Sequence, residues 1–191
     1  MARNKEFDEK LALIKAMELF WEQGYERTSM QDLVDHMGVH RRSIYDTFGD
    51  KHTLFMRALS HFVEVMEMRM KNEVKADLTV KQTIRKIFEM VIDPEENLPK
   101  GCLAVNTAVE LSLLDEEVAK KIKEIFINTE ALLFDLLKHG QEKGEIPKHY
   151  NIKGLSQFIH NSLVGVRVLA KTTNDKEKFE AIIDLTLSTL D

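Results

Sequence analysis

The stretch Ser29–Lys51, SMQDLVDHMGVHRRSIYDTFGDK, decides how this chain is read. Ser29 suits a helix start, because its hydroxyl accepts a hydrogen bond from a first-turn backbone N–H that the helix leaves unpaired. Leu33, Val34 and Met37 follow at helical spacing, and Gly38 stands where a tight turn needs a left-handed backbone. In the next run, Val39–Phe48, the apolar Ile44 and Phe48 are four residues apart and share a face. His40, Arg41, Arg42, Ser43, Tyr45 and Thr47 are left to face outward. Two short helices gain little from holding such a set in the open, whereas DNA uses all of it. In a helix-turn-helix the second helix enters the major groove, its first residues reach base edges, and hydroxyls and cations hold phosphates. An arginine there donates two hydrogen bonds to guanine O6 and N7. On these residues alone, a surface helical hairpin with ordinary solvated charge remains the alternative.

The longer run Ala16–Phe55, AMELFWEQGYERTSMQDLVDHMGVHRRSIYDTFGDKHTLF, resembles the DNA-binding domain of the TetR family of transcriptional repressors. Leu19-Phe20, Gly24-Tyr25, Thr28-Ser29, Gly38-Val39, Ile44-Tyr45, Phe48 and Lys51 stand in the family's order and spacing, and the segment FGDK resembles one branch of it. The resemblance implies base contacts from Gln31, Arg41 and Arg42, and phosphate contacts from Thr28, Ser43, Tyr45, Thr47 and Lys51. Three positions depart from the family pattern. Arg42 replaces a small residue or proline and adds a long cation to the reading edge. Asp46 brings a carboxylate toward phosphate, so it is expected to pair with a neighbouring cation or to point away. His40 replaces a better capping residue and is counted with the DNA-facing set.

Composition bounds the alternatives. The chain has 191 residues, three prolines, eight glycines and no low-complexity tract, which excludes long disorder and allows a sizeable core. A net charge of −5 excludes a non-specific nucleic-acid coat. Residues 1–60 carry nine Lys/Arg against ten Asp/Glu, so the cations must gather on one face, with His36, His40 and His52 adding charge at lower pH. The single cysteine, Cys102, forms no intramolecular disulfide. No signal peptide or bilayer-length apolar run is evident, and both point to the cytoplasm.

Read in order, the chain predicts an all-α, TetR-like fold of about nine helices. A polar lead carries Arg3 and Lys5, a possible arm along the DNA backbone. A helix over 6–23 buries Leu13, Ala16, Met17 and Phe20, and Gly24 stops it. Asp50 caps a long helix from Lys51 to about Lys75, with Leu54, Phe55, Ala58, Phe62, Val65, Met66 and Met70 as its stripe. Further helices are expected over 80–92, 103–113, 115 to about 139, 152–171 and 176–190. Asp93-Pro94, Pro99-Lys100-Gly101, Gly144-Glu145-Ile146-Pro147 and Thr172–Asp175 mark the breaks. The domains are then 1–50, for DNA, and 51–191, for ligand and dimerisation. The long helix belongs to both, which is what a two-state repressor requires.

The last two helices are apolar on more than one side, so a second copy is expected to cover them. Phe158, Asn161, Val164, Gly165, Arg167, Val168, Ile183 and Leu187 are the candidate interface residues. The resemblance implies the same four-helix arrangement. A two-fold dimer sets two recognition helices one DNA turn apart, roughly 34–36 Å, and demands an inverted-repeat operator.

The resemblance also implies a small-molecule inducer in the helical body. Candidate walls are Phe62, Met66, Phe88, Val91, Val105, Val109, Phe126 and Phe134. Cys102, Asn106 and Glu110 share a helical face on which an amide and a carboxylate can orient a ligand. Cys102 follows Gly101 at a helix start, where the dipole favours thiolate, so an oxidant- or electrophile-sensing regulator is a second reading. Arg167, inside LVGVRVLA, suits either an anionic ligand or an ion pair between subunits. An enzyme is disfavoured: no phosphate-binding glycine loop or di-metal helix motif occurs, and Asp32 with His36 is a poor metal pair. No cofactor or metal is expected. A helical adaptor that does not bind DNA leaves Arg41, Arg42 and Lys51 without a role.

Overall fold

The computed structural model describes residues 7–73, 77–93 and 98–191. Arg3 and Lys5 of the polar lead, the helix end near Lys75 and the break at Pro94 lie outside them. Among the described residues there are nine helices and no strand: α1 (Glu9–Gln23), α2 (Met30–Met37), α3 (Arg41–Phe48), α4 (Lys51–Glu73), α5 (Val80–Ile92), α6 (Leu103–Leu111), α7 (Glu116–Lys143), α8 (Ile152–Leu169) and α9 (Lys176–Ser188).

Side-chain caps set most of the starts. Asp8 accepts from the Lys10 and Leu11 N–H groups, Asp115 from Val118, Asn151 from Gly154 and Asp175 from Lys178. Ser29 with Asp32, and Thr79 with Gln82, form reciprocal capping boxes that pair two orphan donors each. Asp50 accepts from Thr53 N at 2.8 Å, as its position predicts. The ends were harder to read. α7 runs past the expected stop near His139 because Gly140 continues the buried face of Leu133 and Leu137, and the chain turns left-handed only at Gly144.

Two apolar clusters hold the fold. The first joins Phe20, Leu33, Ile44, Phe48, Leu54 and Phe55 of α1–α4 to Leu103, Val105 and Leu111 of α6 and Val118 and Ile122 of α7. The second joins Ile84 and Phe88 of α5, Leu133 and Leu137 of α7, Ile159 and Leu163 of α8 and Ile183 and Leu187 of α9. Each fully buried Phe, Leu or Ile contributes on the order of 1.5–3 kcal/mol. Helix α4 takes part in both, with Leu54 and Phe55 in the first cluster and Met70 packed on the second. The core beneath the recognition helix therefore continues into the helical body.

Candidate nucleic-acid interface and an internal cavity

Helices α2 and α3 meet across a turn that glycine makes possible. Gly38 has φ +67°, and its N–H caps α2 by donating to Val34 O. Leu33, Met37, Val39, Ile44 and Phe48 face inward and are buried. What α3 presents outward is His40, Arg41, Arg42, Tyr45 and Asp46, all exposed, with Ser43 and Thr47 half-buried beside them. Gln31 on α2 is exposed on the same side, and Arg41 Nη2 donates to its Oε1 at 3.4 Å while its Nε2 donates to Asp35 at 2.9 Å. Arg42 stands 3.7 Å from Asp46 with both side chains open to solvent. The carboxylate thus pairs with a neighbouring cation, as expected, and an exposed pair of this kind is weak enough for phosphate or a base to replace it. His40 makes no side-chain cap, leaving its ring outside.

Lys51 sits with Nζ 4.2 Å from the centre of the Tyr25 ring. Burial, with Glu26, Asp50 and Asp115 adding to it, raises the Tyr25 phenol above its ordinary value, so the ring stays neutral beneath the ammonium. Thr28 is the exception in the DNA-facing set. It is fully buried and its hydroxyl donates to Gly24 O at 2.6 Å, so that side chain serves the α1–α2 turn rather than a phosphate. Asp32, paired with His36 as a poor metal site, accepts from Ser29 N at 2.8 Å, and bonding with the Ser29 side chain and then this N–H lowers its pKa. Among the described residues no three His, Cys, Asp or Glu side chains are grouped to hold a metal.

The face of Cys102, Asn106 and Glu110 exists, but it mostly grips α1. Asn106 Nδ2 donates to Trp21 O at 3.2 Å, and the Glu110 carboxylate accepts from Tyr25 N at 3.0 Å and Glu26 N at 2.9 Å. A Cβ on Gly24, whose φ is +86°, would lie 2.8 Å from the same carboxylate. Close by, His52 of α4 meets Asp115 at 2.9 Å. α6 is thereby clasped to the end of α1, directly behind the helix-turn-helix. Val109 is 83% exposed, so it lines nothing inside.

Between α4, α6, α7 and α8 lies a cavity of about 420 Å³, lined by Phe62, Val63, Met66, Glu67, Met70, Lys71, Cys102, Ala104, Ile125, Asn128, Thr129, Leu132 and Arg167. A smaller chamber of about 40 Å³ adjoins it and shares Phe62, Met66, Met70, Cys102 and Arg167. Trp21, Arg69, Ile87, Met90, Val91 and Gly101 complete its walls. Of the candidate ligand residues, Phe62, Met66, Val91 and Cys102 line this space. Phe88 and Val105 instead fill the two cores, and Phe126 packs edge-on against His160 at 5.3 Å. Cys102 is buried at the start of α6, on the wall of both chambers.

The candidate dimer residues divide likewise. Phe158, Asn161, Gly165 and Val168 form an exposed stripe along α8, and nothing lies within 4 Å of where a Gly165 Cβ would stand. On α9, Leu185 is apolar and 72% exposed. Ile183 and Leu187 are buried in the chain's own second cluster, Val164 packs against the first, and Arg167 turns to the cavity.

Comparison with known proteins places this architecture. Residues 12–58 match the family model for "Bacterial regulatory proteins, tetR family", and residues 79–185 match the one for "Tetracyclin repressor-like, C-terminal domain". The uncharacterized HTH-type transcriptional regulator YezE of Bacillus subtilis (strain 168) is 35% identical over the full length of both chains. The HTH-type transcriptional repressor ComR of Escherichia coli (strain K12) is 29% identical, with 97% of this chain and 90% of ComR covered. Among solved structures, a cysteine-substituted CifR, a TetR family transcriptional regulator complexed with 26-bp double-strand operator DNA, superposes with a TM-score of 0.85 at 25% identity, covering 99% of this chain and 100% of that one. With both of its halves matched and a full-length relative above 30% identity, the chain belongs to the TetR family of DNA-binding transcriptional regulators.

Proposed function

We propose that the protein is a homodimeric repressor that binds an inverted-repeat operator through α3 and leaves it when a small molecule fills the cavity behind α6. The observation that carries this reading is the recognition face itself. Arg41, Arg42, Tyr45 and Gln31 are exposed together on a helix pair whose opposite side is locked into the core. In this reading Gln31, Arg41 and Arg42 read bases. Ser43, Tyr45, Thr47, Lys51 and the His40 ring hold the backbone, and residues 1–50 form the DNA-binding unit carried by the body of 51–191. ComR, a repressor by name, supports repression as the sense of control. The exposed α8 stripe with Leu185 supports pairing with a second copy, which sets the spacing of the half-sites.

Release follows from the clasp. A ligand between α4 and α6 displaces α6 at Cys102 and Ala104, and Asn106 and Glu110 carry that shift to the end of α1. The recognition helices of the dimer then move out of register with the DNA. Transcriptional regulation is not an enzyme class, and the protein acts in the cytoplasm with the operator. No described helix is long and apolar enough to cross a membrane.

Selection of bound duplexes from a random pool, at a stated salt near physiological, tests this reading. It predicts an enriched inverted repeat with half-sites one DNA turn apart. A correctly folded protein that enriches nothing would move the function to ligand binding or adaptor work.

A further inference from the structure

Polar groups inside a protein are nearly always paired, so unpaired donors on a cavity wall describe what belongs beside them. Two donors here lack partners. Trp21 is 4% exposed, lines the small chamber, and its Nε1–H finds no acceptor among the described residues. Arg167 lines both chambers and has no carboxylate or carbonyl partner among the described residues. The nearby His160 makes no bond to it, and its Nε2 is itself buried without a partner among the described residues. Burial keeps that imidazole below its ordinary pKa, its Nδ1 faces Glu130 at 3.2 Å, and the Arg167 charge disfavours a second cation there.

Among the described residues no carboxylate lines the small chamber, whose wall carries two cations, Arg69 and Arg167. In the large one, Glu67 and Lys71 are opposite in sign and four residues apart on α4, so Arg167 is the uncompensated charge. Asn128 and Thr129 add neutral polar groups to the large chamber, and the other walls are apolar or soft, chiefly Phe62, Met66 and Met70. The small chamber, about 40 Å³, holds a headgroup of a few atoms, and the 420 Å³ space beside it takes an apolar body.

We infer that the ligand of this cavity is a small amphipathic organic anion, a carboxylate whose headgroup lies between the Arg167 guanidinium and the Trp21 indole N–H and whose aliphatic or aromatic body fills the larger chamber. This rests on the ligand-release reading above and names the ligand class for it. The guanidinium accounts for the charge, since it remains ionised at every relevant pH and matches a carboxylate with two parallel donors. Trp21 ties occupancy to the DNA-binding unit, because its own carbonyl is held by Asn106 of α6.

Trp21 is the one tryptophan of the chain, so its fluorescence reports on the chamber. Full-length protein is titrated with octanoate, 1-octanol and octylamine, which share a tail and differ in charge. The inference predicts a saturable fluorescence change with octanoate and binding of the other two at least roughly tenfold weaker, the loss expected for one charge-assisted hydrogen bond. Arg167→Gln is expected to weaken octanoate by a similar factor and Arg167→Lys to restore part of it. Trp21→Phe, read by calorimetry, is expected to weaken it less. Equal or tighter binding of octanol or octylamine overturns the inference, as does failure of octanoate to bind. Retained octanoate affinity in Arg167→Gln together with a weakened dimer overturns it too, since Arg167 would then belong to the subunit interface. The three-probe comparison uses the unaltered chain and decides even where a variant does not fold. If a neutral or cationic compound displaces the operator while octanoate does not, the anion inference fails and ligand release stands. If no compound of any class displaces it, both fail.

Discussion

The recognition face holds its polar side chains in weak, solvent-open pairs, whereas the cavity wall leaves buried donors with no partner among the described residues. On α3, the Arg42 side chain is 90% exposed and its ion pair with Asp46 is open to water. Behind α6, the Trp21 indole nitrogen is sealed from solvent with no acceptor among the described residues. An ion pair this exposed contributes little, so the surface set stays ready for any arrangement of phosphates and bases. An unpaired donor in the interior costs on the order of 1–3 kcal/mol, so the interior set favours an occupant that satisfies it. The first region is built for a large, highly charged partner that comes and goes, and the second for a small one that changes the protein when it arrives.

The two regions act on each other only if the α6 clasp transmits, and breaking it is expected to have the largest effect. Glu110→Ala removes the acceptor of the Tyr25 and Glu26 N–H groups, and hydrogen bonds to a charged acceptor contribute roughly 1.5–3 kcal/mol each. Chemical denaturation is expected to show a loss of that order, and operator release by a cavity ligand should need more ligand or fail. A variant as stable as the parent and fully releasable would show that α4 alone carries the signal.

A smaller effect distinguishes the regions by pH. His160 has its pKa lowered in the folded chain, first by burial, against the opposing pull of Glu130. The unfolded chain therefore takes up the proton more readily, and stability should fall as pH drops from near neutral, below about 6.5, until the folded histidine also titrates. His160→Gln is expected to flatten that segment of the stability curve while leaving operator affinity at neutral pH unchanged. A slope unaltered by the substitution would assign the pH dependence to other groups.

The sequence carried the recognition face almost completely, because its signals are local. Ser29, Gly38 and the Leu33–Met37 and Ile44–Phe48 spacings are all decided within one or two helical turns. Thr28 alone is turned inward from that face, since a buried hydroxyl bonded to Gly24 O looks the same in sequence as one offered to phosphate. The cavity was legible in part. Phe62 and Met66 lie on it, but periodicity alone does not say which of several apolar residues fill a core, as Phe88 does, and which line a space. Val109 and Glu110 depend on the rotation of α6 against α1, which only the packing of distant segments sets. For the same reason Ile183 and Leu187, apolar at helical spacing like any interface residue, are buried within the chain while Leu185 is the one exposed.

Reading of DNA by α3 is best tested by comparing affinities for the selected operator and for a scrambled duplex of equal length, across a salt series, for the parent, Arg41→Ala, Arg42→Ala and Lys51→Ala. The arginine variants are expected to lose about 1–3 kcal/mol on the operator with little change on the scrambled duplex. Lys51→Ala is expected to weaken both alike and to lower the salt slope by about one. Equal losses on both duplexes from all three changes would contradict the assignment of base reading to Arg41 and Arg42.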